Sequence, residues 1–86
     1  MAAATFHLSV LTPTESVFDE TVESIIVPGS EGYLGVLAHH APLITALMPG
    51  KLTVRKPGGQ TLEYQLTGGF FEVSNNKAIV LADAVA

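Results

Sequence analysis

The sequence predicts an all-β domain, either a sandwich or a small barrel. Three observations carry this reading. Apolar residues recur with a period of two in most segments, which places them on one face of a strand. Gly and Pro turn signals fall at short, regular intervals between those segments. No stretch keeps a helical apolar stripe for about ten residues.

The elements follow in order. Phe6, Leu8 and Val10 alternate with His7, Ser9 and Leu11, a half-buried strand that ends at Thr12-Pro13. Val17, Asp19 and Thr21 oppose Phe18 and Glu20 in a second strand. Ile25, Ile26 and Val27 are continuous and β-branched, which predicts a strand buried on both faces. The stretch from Val27 to Leu47 then reads as strand, shaped loop, strand, with the loop held against a hydrophobic body. Its punctuation is Pro28-Gly29, the glycines Gly29, Gly32 and Gly35, and the Ala41-Pro42 break. Gly32 and Gly35 are expected at positive φ, where a side chain would be strained. His39 and His40 are neighbours, so in an extended chain they face opposite ways, one buried and one exposed. After Pro49-Gly50, Leu52 and Val54 alternate with Thr53 and Arg55. After Pro57-Gly58-Gly59, Leu62, Tyr64 and Leu66 alternate with Glu63 and Gln65. Gly68-Gly69 leads into Phe70, Phe71 and Val73, and Asn75-Asn76 leads into a last strand, Ala78 to Ala82. No repeat, low-complexity segment or linker divides the chain, so residues 1–86 read as one domain.

Composition bounds the function. Hydrophobic residues make up 48% of the chain and charged residues only 14%, against a norm of about 25% charged. A domain this small with so little charge either hides apolar surface against partners or is poorly soluble alone. There is no cysteine, hence no disulfide and no thiolate metal site. No apolar run approaches the roughly 18 residues of a membrane span, so no direct membrane insertion is expected. The start, MAAATFHLSV, has no basic region of the secretory kind. Five acids and no Lys or Arg lie in residues 1–43, and the net charge is −4. That balance excludes binding along a nucleic-acid backbone, which needs clustered bases. The small Lys51–Lys56 cluster reads as protective charge on an edge strand.

Catalytic readings are weak. Adjacent histidines cannot easily share one metal, and His7 has no second ligand at chelating spacing. Ser30, His40 and Asp83 supply the residue types of a triad, but Gly29-Ser30-Glu31-Gly32 is no nucleophile elbow. Gly29, Gly32 and Gly35 form neither a dinucleotide fingerprint nor a phosphate loop, and their plainer role is backbone shape. The same role is assigned to Pro42, Gly68 and Gly69. The residues therefore describe an interaction domain with no cofactor. A biotinyl- or lipoyl-type carrier domain stays open as an alternative, with Lys51 or Lys77 near a hairpin tip as the modified residue.

Several motifs share one family pattern. These are Phe6-His7-Leu8-Ser9-Val10, Glu23-Ser24-Ile25-Ile26-Val27, and Gly29-Ser30-Glu31-Gly32 with Leu34-Gly35. His40-Ala41-Pro42-Leu43, Pro49-Gly50, Gly68-Gly69-Phe70-Phe71-Glu72-Val73 and Val80-Leu81-Ala82-Asp83-Ala84 complete the set. In these the chain resembles the N-terminal β-sandwich domain of the epsilon subunit of F-type ATP synthases, called delta in mitochondria. The resemblance implies a flattened β-sandwich of about ten short strands. It also implies a non-catalytic rotor subunit of the central stalk, a monomer within the complex, that binds the gamma subunit and the polar loops of the c-ring. Coupling of proton translocation to ATP synthesis follows from that role. So does a peripheral place on the cytoplasmic face of a bacterial cell membrane, with a thylakoid or mitochondrial equivalent open. Family members usually continue into two C-terminal helices, and the sequence ends at Ala86, so no such hairpin is expected here. By the same resemblance Ser30, Glu31, Gly32 and His40 are expected together at the c-ring end.

Overall fold

The computed structural model describes residues 4–86, so the first three residues of the expected domain lie outside it. Nine strands follow one another: β1 (Phe6–Leu11), β2 (Ser16–Val22), β3 (Ser24–Gly29), β4 (Gly32–Leu37), β5 (Leu43–Leu47), β6 (Gly50–Arg55), β7 (Thr61–Leu66), β8 (Gly69–Ser74) and β9 (Lys77–Ala82). The described residues contain no helix. The all-β expectation is met, and nine strands stand close to the ten expected.

The strands form two layers. The first runs β2-β1-β9-β8-β5, and the second contains β3, β6 and β7 with β4 beside β3. All neighbours are antiparallel except β1 and β9, which run parallel from His7↔Lys77 to Leu11↔Leu81. The layers join at β3. β4 occupies one edge of β3 along its whole length, from Ser24↔Leu37 to Gly29↔Gly32. The other edge is divided: Ser24–Ile26 pair with β6, and Gly29 pairs with Leu47 of β5. One strand thus belongs to both sheets. On the opposite side the layers are closed by side chains. Phe18 of β2 meets Tyr64 of β7 edge-on at 6.4 Å, and Lys56 reaches Glu20 at 2.9 Å.

Period-two patterning puts the core between the layers. Leu8, Val10, Phe71, Val73 and Val80 come from the first sheet and Ile25, Val27, Leu52, Val54 and Leu66 from the second, and all are essentially inaccessible. No polar or charged residue among those described is buried. Each such side chain contributes about 1.5–3 kcal/mol on leaving water, so this interface between sheets is the main source of stability.

The structure corrects four expectations. The segment read as a shaped loop contains β4: Leu34 and Val36 turn inward while Tyr33, Gly35 and Leu37 are exposed. Gly29 and Gly32 do close a turn, but it is only the two residues Ser30-Glu31, and Gly35 lies within the strand that follows. Ile26 is 44% exposed, because the outer face of β3 is open at that position, although Pro28 further along is covered. β6, which carries Lys51 and Arg55, is not an edge strand; it lies between β3 and β7. Its bases lie on the sheet surface, Lys51 3.6 Å from Glu63 and Arg55 3.5 Å from Glu23. Finally, His39 has φ +62° in a turn, so the histidine pair is not extended. His39 is exposed and His40 half-buried, and neither is in the core.

Candidate functional site

Ser30 and Glu31 are the two residues of the β3–β4 turn, closed by the pair Gly29↔Gly32. Gly32 supplies the positive φ of +125° that this reversal requires. A side chain on Gly29 would bring its Cβ within 2.9 Å of the Gly32 carbonyl. The turn is tied to the first sheet. The Ser30 N–H donates to the Ala46 carbonyl at 3.0 Å, and the Met48 N–H to the Pro28 carbonyl at 2.8 Å. The Ser30 and Thr45 hydroxyls lie 3.4 Å apart. Glu31 is exposed, with no ion-pair partner among the described residues.

Register places four further segments at the same end. These are Thr12–Glu15 after β1, Met48–Pro49 after β5, Thr67–Gly68 after β7, and Asp83 after β9. The Asp83 N–H donates to the Gly68 carbonyl at 3.1 Å. Gly68 and Gly69 have φ of +133° and +139°, and a Cβ on Gly69 would run into the Leu81 carbonyl. These turns carry Glu15, Glu31 and Asp83 and no Lys or Arg. The end is acidic.

His40 is not there. The six residues of β4 separate it from Glu31, about 17 Å at the rise of a strand. The expected grouping of Ser30, Glu31, Gly32 and His40 therefore splits in two, because the intervening segment is extended. His40 Nδ1 lies 2.7 Å from the Ala41 carbonyl. A carbonyl only accepts, so Nδ1 carries the proton and Nε2 is left for another partner. Pro42 is exposed just before β5, which begins at Leu43. Gly35 lies inside β4 without positive φ and with open space where a Cβ would stand, so it does not shape the backbone. The split also separates Ser30 and Asp83 from His40, so those residue types do not assemble a triad. Among the described residues no three His, Asp or Glu side chains cluster as a metal site.

An apolar face was not located by residue in the sequence. Along the first sheet, Leu11, Leu81, Phe70 and Ala46 share one row and Ser9, Ile79, Glu72 and Ile44 the next. These are outward positions. Ile44 is 70%, Phe70 59% and Leu81 50% exposed. Together with Leu11 and Ile79 they line a shallow hollow of about 290 Å³. The signal was present in the unbroken runs Phe70-Phe71 and Ile79-Val80-Leu81, which are apolar on both faces of their strands. At the rim of this face His7 Nε2 bonds Asp19 Oδ1, and the Ser9 hydroxyl donates to the same oxygen at 3.2 Å. These hydrogen bonds, His7's first, hold the Asp19 carboxyl below its ordinary range.

The family described as "ATP synthase, Delta/Epsilon chain, beta-sandwich domain" matches residues 5–86. An ATP synthase epsilon chain of Protochlamydia amoebophila is 50% identical over 80 residues, 93% of this chain and 54% of the relative. One from Pelotomaculum thermopropionicum is 46% identical over 84 residues, 98% of this chain and 62% of the relative. The chain thus spans somewhat over half the length of these curated relatives. Among solved structures, a chain of the Euglena gracilis mitochondrial ATP synthase (OSCP/F1/c-ring) superposes with TM-score 0.92 at 28% identity, over 100% of this chain and 55% of that one. A chain from the Tetrahymena thermophila mitochondrial ATP synthase central stalk and c-ring gives TM-score 0.80 at 15% identity, over 100% and 69%. The latter speaks to the fold alone.

Proposed function

Because this chain belongs to the ATP synthase delta/epsilon family, as its β-sandwich domain, we propose that it is a non-catalytic rotor element of the central stalk of a proton-transporting ATP synthase. It binds the gamma subunit and the c-ring loops and makes them turn together, as a peripheral subunit on the cytoplasmic face of the membrane. The observation that carries this reading is the exposed apolar face of Leu11, Ile44, Phe70, Ile79 and Leu81. Isolated soluble domains seldom leave such a continuous patch in water. We assign it to gamma. A stable contact there buries above about 1,000 Å² in total, and Phe70 at its centre is the aromatic anchor.

The acidic end, with Glu15, Glu31 and Asp83, is assigned to the c-ring loops. Charge there sets register and encounter more than affinity. The two assignments fit the geometry, since a face along the strands and an end across them can be engaged at once. Rotation then needs no chemistry from this chain, only a body that does not deform.

The test is gamma binding by calorimetry and coupling in reconstituted synthase. Phe70→Glu is expected to weaken gamma binding by about 30-fold, as for a central hot spot of 2 kcal/mol, with the fold intact by circular dichroism. Glu31→Lys is expected to leave gamma binding unchanged and lower proton-coupled ATP synthesis. Unchanged gamma affinity in Phe70→Glu would remove the assignment of this face.

A further inference from the structure

Asn75 and Asn76 form the two-residue turn between β8 and β9, closed by Ser74↔Lys77. Both have positive φ, +51° and +61°, the geometry of a mirror-image type I turn. In that turn the second position is most easily filled by glycine. Asparagine stands there instead, and both ends of its carboxamide are bonded to other segments. Asn76 Oδ1 accepts the His39 N–H at 2.8 Å, and Asn76 Nδ2 donates to the Thr5 carbonyl at 2.9 Å. The Asn76 carbonyl also accepts the His7 N–H at 3.3 Å. One residue therefore fastens the entry of β1, the β8–β9 turn and the β4–β5 turn. His39 needs the help most, because its φ of +62° is one that side-chain-bearing residues seldom adopt.

We propose that Asn76 is a positioning residue for partner binding. It acts through His39, fixing the turn from Ala38 to Pro42, and with it the His40 ring and the entry of β5. Ile44, the second residue of β5 and the cross-strand partner of Glu72, stands on the apolar face just beyond that turn. The partner here is gamma, so this role rests on the function proposed above.

Two variants separate positioning from turn chemistry. Asn76→Gly keeps the favoured turn conformation and removes both side-chain bonds. Asn76→Asp keeps the acceptor for His39 and loses the donor to Thr5. In the free chain, amide exchange by NMR is expected to be at least tenfold faster at His39 in Asn76→Gly and unchanged there in Asn76→Asp. The melting temperature of Asn76→Gly should stay within about 3 °C of the parent, since glycine relieves the turn. Gamma is expected to bind Asn76→Gly at least fivefold more weakly, and Asn76→Asp like the parent. Unchanged exchange at His39 overturns the latch. Faster exchange with parental gamma affinity overturns the positioning role. A parent chain that does not bind gamma at all overturns the functional reading and the role built on it, while the exchange data still report on the latch itself.

Discussion

Gly69 has the least room for a side chain of the glycines in the signature motifs. Its φ of +139° excludes a side chain on backbone grounds, and the Leu81 carbonyl fills the space where a Cβ would sit. Gly69→Ala is therefore expected to cost more than about 2 kcal/mol, combining strained backbone with a forced shift of β9. Gly35→Val, by contrast, should be neutral or stabilise by a few tenths of a kcal/mol, since it puts a β-branched residue at an open strand position. Urea unfolding of the two variants checks both. The sequence shows both glycines as punctuation and cannot rank them. What separates them is the positive φ of Gly69 and a cross-strand neighbour, Leu81 over Gly69 and nothing over Gly35, and both come from how the strands pair.

At the level of elements, alternation, apolar runs and turn signals together marked eight of the nine strands, and β4 was hidden by its own glycines. The edge strand β2 shows a second pattern that was only half legible. Asp19 and Glu20 protect it from pairing with other chains. Their partners, His7 and Lys56, lie on β1 and beyond β6, and no local rule names them. The His7 and Ser9 bonds favour ionised Asp19, so its folded pKa is below the unfolded value of about 3.9. The stabilisation is present above that value and lost as pH falls through the lowered folded pKa. Thermal melts of parent and Asp19→Asn should thus differ most near neutral pH and converge in acid, once the pH lies below the lowered folded value. A difference that persists undiminished in acid contradicts the linkage.

For the molecule as a whole, composition announced surplus apolar surface, which the structure places on the outer face of the first sheet, and the family motifs announced the sandwich. Neither could show that Glu31 and His40 occupy opposite ends, because distance along a strand cannot be read until the strand itself is recognised. The closing pair, β1 with β9, joins residues at the two extremes of the chain. Such non-local pairing must pay loop entropy before it is rewarded, so refolding is expected on a millisecond-to-second timescale. Stopped-flow fluorescence of the tyrosines would register it, and microsecond folding would contradict the argument.

The same parallel pair has a mechanical consequence. β1 and β9 run side by side in one direction, so the start of one and the end of the other point to opposite poles. Tension between the two termini would slide the strands lengthwise. The bridges from His7↔Lys77 to Leu11↔Leu81 would then bear the load together and could not peel away singly. The pair is a built-in shear clamp, loaded once the bonds that hold Ala84 and Ala86 to the end of β7 have given way.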